Sequence, residues 1–97
     1  MANDLSDAVI KRCKLYQNTP NPFNQSTQIK YYLPQEVKIA YLCIYNLQGV
    51  QIKQILITQR GEDSQWISGS ELDAGMYLYA LIVDGKEVDT KRMILTK

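Results

Sequence analysis

A chain of 97 residues has the length of one domain and can bury roughly two-thirds of the surface its unfolded form exposes, so a core needs no staples. Eleven basic against ten acidic residues leave a net charge of +1, which gives no general attraction to nucleic acid or anionic lipid. The absence of histidine excludes Ser-His and Cys-His nucleophile pairs and the usual zinc ligands, and no apolar run approaches the roughly 18 residues of a membrane span.

The start of the chain is polar and lacks the basic-then-apolar order of a signal peptide. Leu5, Ala8, Val9 and Ile10 are spaced to permit a short amphipathic helix, but one of about ten residues is marginal alone. Residues 1–14 therefore read as a leader or linker remnant with a frayed helix at most, and residues 15–97 as the domain. Cys13 falls in this polar leader and Cys43 in an apolar strand pattern, so they read as independent thiols. A disulfide between them is the alternative in an oxidising compartment.

Lys14 to Thr27 holds Pro20 and Pro22 among asparagines, which suits neither helix nor central strand and predicts a shaped loop plugged onto the core by Phe23. Asn24-Gln25-Ser26 matches a glycosylation sequon, although turn formation accounts for the same residues. Thr27 to Leu33 alternates, with Ile29, Tyr31 and Leu33 on one face, as in a half-buried antiparallel strand. Val37 to Leu47 reads as a long strand apolar on both faces. Ala40, Leu42 and Ile44 line one face; Tyr41, Cys43 and Tyr45 lie on the other and are candidates for a symmetric, weakly dimerising interface.

Asn46 to Gly49 is a hairpin turn, Val50 to Ile57 its returning strand, and Thr58 to Ser64 a polar loop. Gln65-Trp66-Ile67 is a short strand whose tryptophan is expected in the core rather than stacked on a sugar. Ser70 to Asp73 makes a turn braced by side-chain oxygens, and Gly75 supplies a positive φ at the entry to Met76–Val83. That unbroken apolar run of eight residues predicts a central strand covered on both faces. Asp84-Gly85 signals a two-residue hairpin, and Glu87 to Lys97 is the last strand. Glu71 and Asp73 are the close acidic pair beside the central strand and serve their turn. No metal site or catalytic set is read here, so the chain is not expected to be an enzyme or to need a cofactor. Seven short strands with turn signals every eight to twelve residues predict an all-β, antiparallel, immunoglobulin-like sandwich.

Five blocks carry a family resemblance: Leu15 to Asn24 with its Pro-Asn-Pro-Phe-Asn, Thr27 to Pro34, Ile44 to Gly49, Leu72 to Tyr77, and Lys91 to Lys97. In order and register they resemble the C-terminal sorting domain of the type IX secretion system of Bacteroidetes, from Leu15 onward. Gln25 stands where that family often has proline. The resemblance implies a non-catalytic tail of a cargo protein, exported through the periplasm to the outer membrane and cell surface or the medium. It implies as partners the outer-membrane translocon, its shuttle protein, and a sortase-like cysteine protease cutting within Asp7 to Leu15, a stretch read as poorly ordered. Recognition residues carried over are Pro20, Asn21 and Pro22; Gly75 and Tyr77; and Met93, Ile94, Leu95 and Lys97. A last strand at a sheet edge would offer unpaired backbone groups for capture by strand addition. Two other readings stay open: a fibronectin-like carbohydrate-binding module using Trp66 with the tyrosines of Val37 to Tyr45, and a purely structural dimerising domain.

Overall fold

The computed structural model describes residues 4–97, with side chains from Asp7 onward. Helix α1 (Asp4–Arg12) is followed by seven strands: β1 (Lys14–Leu15), β2 (Ser26–Leu33), β3 (Ala40–Tyr45), β4 (Gln51–Ile57), β5 (Gly61–Ser68), β6 (Gly75–Val83) and β7 (Lys86–Leu95). Two antiparallel sheets form, in the orders β1-β2-β5 and β4-β3-β6-β7. The predicted all-β sandwich is thus the fold. The fourth strand pairs with the third as a hairpin, rather than joining the sheet of the first two.

Alternation fixes which faces meet. Ile29, Tyr31 and Leu33 of β2, Ala40, Leu42 and Ile44 of β3, and Tyr79, Leu81 and Val83 of β6 are all at or below 1 % exposure and fill the space between the sheets. Met93 and Leu95 extend that layer along β7. Strand β6 is central, as predicted, but only its inner face is sealed. On its outer face Ala80 is buried, whereas Met76, Leu78 and Ile82 are half-exposed, so among the described residues this side of the sheet is only partly covered.

The leader stretch is an element of the fold. Val9 and Ile10 pack against the core, the Cys13 thiol donates to Val9 O, and Arg12 pairs with Glu36 at 2.9 Å. Cys13 and Cys43 are both buried and unpaired, and burial pushes both thiols above their ordinary value, so neither is a ready nucleophile at neutral pH.

Three strand expectations change. The strand predicted from Val37 begins only at Ala40. Asp84 Oδ1 accepts from the amides of Lys38 and Ile39, and Arg60 reaches the carbonyls of Val37 and Lys38, so these backbone groups have side-chain partners in place of a ladder. The polar loop at Thr58 to Ser64 shrinks, since β5 starts at Gly61 and pairs with β2 along its whole length. Trp66 is not in the core: it is 65 % exposed, because Ile67 takes the inward position and period-two geometry turns its neighbour out.

Candidate functional site

The chain from Gln17 to Phe23 crosses from β1 to β2 along the free edge of β7. Pro20 and Pro22 each follow a cis bond. Phe23 is 2 % exposed and enters the core as predicted, while its backbone forms a parallel bridge to β7: its amide donates to Ile94 O at 2.9 Å and its carbonyl accepts from the Thr96 amide at 2.8 Å. Asn21 Oδ1 accepts from the Ile94 amide at 2.9 Å, and Gln17 Nε2 donates to Arg92 O at 2.6 Å. Alternate residues of an edge strand turn their backbone groups outward. Here the loop takes Arg92 O, both the amide and the carbonyl of Ile94, and the Thr96 amide. The edge expected to lie open for strand addition is therefore occupied at its C-terminal half.

The same corner draws in the turn before β6. The register sets Gly75 opposite Leu95 and Tyr77 opposite Met93. Gly75 has φ +151° as the chain leaves the turn. Tyr77 is 8 % exposed and its hydroxyl donates to Asp73 O at 2.5 Å, a tyrosine corner at the start of the sixth strand. Lys97 Nζ donates to Leu72 O. The three groups singled out from sequence, far apart in the chain, thus form one contiguous corner.

Within it the residues divide by exposure. Met93 and Leu95 are 0 and 2 % exposed and Tyr77 is nearly closed off, so these three build the corner from inside. Pro20, Asn21, Pro22, Gly75 and Lys97 are exposed and Ile94 is half-exposed, so these form its surface. The turn differs in detail from the reading: Ser68, not Ser70, places its hydroxyl on a backbone amide, that of Ser70, and Glu71 pairs with Lys53 at 3.0 Å.

Beneath the loop lies a polar set that sequence reasoning missed. The Tyr79 hydroxyl donates to Tyr16 O at 2.8 Å and accepts from the Asn18 amide at 2.7 Å. Asn18 Nδ2 donates to Thr27 Oγ1 and Pro20 O, and Thr27 Oγ1 donates to Pro20 O. Asn18 and Thr27 are the two buried polar residues, and every buried side-chain polar atom among the described residues has a partner. The one signal available from sequence was the run of turn formers around two prolines, whose backbone groups need such partners.

Of the candidate interface, Cys43 is 2 % exposed and offers no surface, while Tyr41 and Tyr45 are half-exposed on the outer face of the four-stranded sheet. Trp66 lies on the opposite sheet, so it cannot share a binding face with those tyrosines. Among the described residues there is no cluster of three or more Cys, Asp or Glu able to hold a metal, and no helix is long and apolar enough to cross a membrane.

The fold and this corner define a small β-sandwich module whose distinctive feature is a locked backbone junction rather than a group of reactive side chains. The family model of the secretion system C-terminal sorting domain matches residues 16–96. The chain therefore belongs to the type IX secretion C-terminal sorting domain family, a non-catalytic family. Comparisons with curated proteins and with solved structures return no match. Membership makes the domain a type IX sorting signal that works with that secretion system, and places its protein among secreted, cell-surface or extracellular ones.

Proposed function

We propose that the corner made by Pro20 to Phe23, Leu72 to Tyr77 and Arg92 to Lys97 is what the type IX outer-membrane translocon and its shuttle protein recognise, as a folded surface rather than a linear tail. The domain then delivers a cargo carried ahead of it to the cell surface or medium, and a sortase-like protease cuts near the Asp7 to Leu15 border. The observation that supports this reading is the occupation of the β7 edge by the loop. With Arg92 O, both backbone groups of Ile94 and the Thr96 amide bonded to the loop, a receptor has side chains and a shaped surface to grip there, not a continuous free ladder. Pro20, Asn21, Pro22, Gly75 and Lys97, with the half-exposed Ile94, are the accessible residues of that surface.

The test fuses a periplasm-targeted fluorescent reporter ahead of the domain in a Bacteroidetes host with an intact type IX system. Ile94→Asp and Lys97→Glu change the surface and leave the core, and Met93→Ala opens the core. Expected is loss of export in the two surface variants while the purified domains melt within a few degrees of the parent. Normal export of a folded Ile94→Asp, Lys97→Glu double variant would refute the corner as the recognised element.

A further inference from the structure

Each sheet ends in two edge strands, and the four edges differ in what guards them. Short length, charge, bulges and cover are the usual protections of an edge against pairing with another chain. Strand β1 has two residues, and β5 carries Glu62 and Asp63. Strand β7 is covered by the loop at its C-terminal half and holds Lys86, Glu87, Asp89 and Lys91 along the rest, beside a register shift. Strand β4 has the least protection. A bulge opposite Tyr45 leaves Lys53 to Ile57 in regular register, and over its seven residues the one charge is Lys53, which is paired with Glu71 at 3.0 Å. Ile52 is 41 % and Leu56 53 % exposed, and the other strongly exposed aliphatic side chains, Ile39, Leu47 and Val50, flank the same hairpin.

The ladder fixes which backbone groups of β4 are free. The Asn46 amide donates to Val50 O and the Asp84 amide to Ile39 O, so even-numbered residues of β3 bond towards β4 and odd-numbered ones towards β6. Lys53, Ile55 and Ile57 stand opposite Ile44, Leu42 and Ala40 and are therefore bonded to β3. Gln54 and Leu56 between them turn their amides and carbonyls to the open edge, where no further strand or loop backbone bonds to them among the described residues. Their side chains, opposite Cys43 and Tyr41, lie exposed on the outer face of the sheet.

We infer that the β4 edge pairs with the β4 edge of a second copy of this chain, antiparallel about a two-fold axis at Gln54, joining the two four-stranded sheets into one of eight strands. Three features select a second copy as the occupant. An antiparallel strand of the same sequence sets Leu56 opposite Ile52 of the second copy and Ile52 opposite its Leu56, so the two exposed aliphatic side chains of the strand cover each other twice. Gln54 falls opposite itself, where two backbone bonds form and the side-chain amides, donor and acceptor in one group, bond to each other. No charge meets a like charge: each Lys53 faces an Ile55 and keeps its own Glu71, and a net charge of +1 gives two copies little repulsion. Seven residues a side, against the roughly 20–30 of a standard interface, make this a weak, reversible dimer. The contact runs along the strand edge and not across the face of Tyr41, Cys43 and Tyr45. It is also independent of the export reading, since β4 and β7 are opposite edges of the sheet.

Sedimentation equilibrium of the 97-residue protein under reducing conditions is the first measurement. Expected is a monomer–dimer equilibrium with a Kd between about 10 µM and about 1 mM. The double variant Ile52→Lys, Leu56→Lys sets lysine against lysine at both ends of the pairing and weakens it by about tenfold or more. Ile52→Lys with Leu56→Glu sets lysine against glutamate and recovers most of that loss, which an antiparallel pairing allows and a parallel one does not. Under mild oxidation Gln54→Cys forms a disulfide-linked dimer about tenfold faster than Lys30→Cys on the other sheet, and the parent, whose two thiols are buried, forms none. Far-ultraviolet circular dichroism of each variant is expected to match the parent, and the cross-link decides the question where a charged variant loses its fold. A folded parent that is monomeric at about 1 mM overturns the inference. So does a dimer that survives in the folded double-lysine variant, one that the folded lysine–glutamate variant fails to restore, or a Gln54→Cys link no faster than that of Lys30→Cys.

Discussion

Tyr79→Phe removes a single oxygen from the centre of the molecule and leaves the packing of the ring unchanged. The hydroxyl lost is fully buried and joins two backbone groups of the loop, Tyr16 O and the Asn18 amide. Each is left without a partner in a site closed to water, at about 1–3 kcal/mol apiece, and the two share one rearrangement, so the expected loss is about 2–4 kcal/mol. For a domain of this size that lowers Tm by about 10–25 °C. Urea denaturation measures it, with an unchanged m-value marking a loss of stability rather than of compactness. The pH dependence provides a second reading. Burial pushes the Tyr79 hydroxyl up to about 12 from an ordinary value of 10, so between these limits the unfolded chain has released its proton while the native state keeps it. The contribution of this group is complete below pH 10 and is lost as pH rises towards 12, so the gap between parent and Tyr79→Phe narrows over that range. A difference of less than about 0.5 kcal/mol at neutral pH, or a gap that stays constant up to pH 12, would refute the argument.

Two further substitutions probe what holds the corner and its neighbour. A Cβ on Gly69 would sit 2.8 Å from Leu95 Cδ1 and 3.2 Å from the carbonyl oxygens of Asn24 and Gln25, so Gly69→Ala costs about 1–3 kcal/mol by calorimetric Tm, and Leu95→Val in the same chain recovers part of it. Arg60 donates to the carbonyls of Val37, Lys38, Ile57 and Gln59, so Arg60→Ala loses about 1.5–3 kcal/mol in urea titration, and Arg60→Lys restores little because an ammonium cannot span four carbonyls as a planar fork does.

The sandwich was legible because alternation in Thr27 to Leu33 and the turn chemistry at Asn46 to Gly49 and Asp84-Gly85 act locally. Asn46 Oδ1 accepts from the amides of Gln48 and Val50, and Gly49, Asp84 and Gly85 all take positive φ. Gly61 to Ser64 was not legible, since no apolar residue marks it as strand; pairing with β2 alone makes it one. Val37 to Ile39 misled in the other direction, being apolar enough for a strand but bonded by Arg60 and Asp84, which lie more than 20 residues away. Trp66 was legible in principle through inward Ile67, had alternation been weighed above the habit of burying a lone tryptophan. The residues of the corner were visible as three separate blocks of sequence. Their convergence, and the closure of the edge they share, depend on contacts spanning up to 75 residues.

That span makes the corner a mark of completeness. Asn21 and Phe23 emerge early in synthesis and have no partner for their edge contacts until Ile94 and Thr96 follow, 73 residues later. Such distant pairings come late in folding because the loop they close must be ordered first. A chain that is truncated, nicked or still unfolded carries every residue before the break and yet lacks the surface. A receptor reading the corner would inspect the finished product and the address in a single contact.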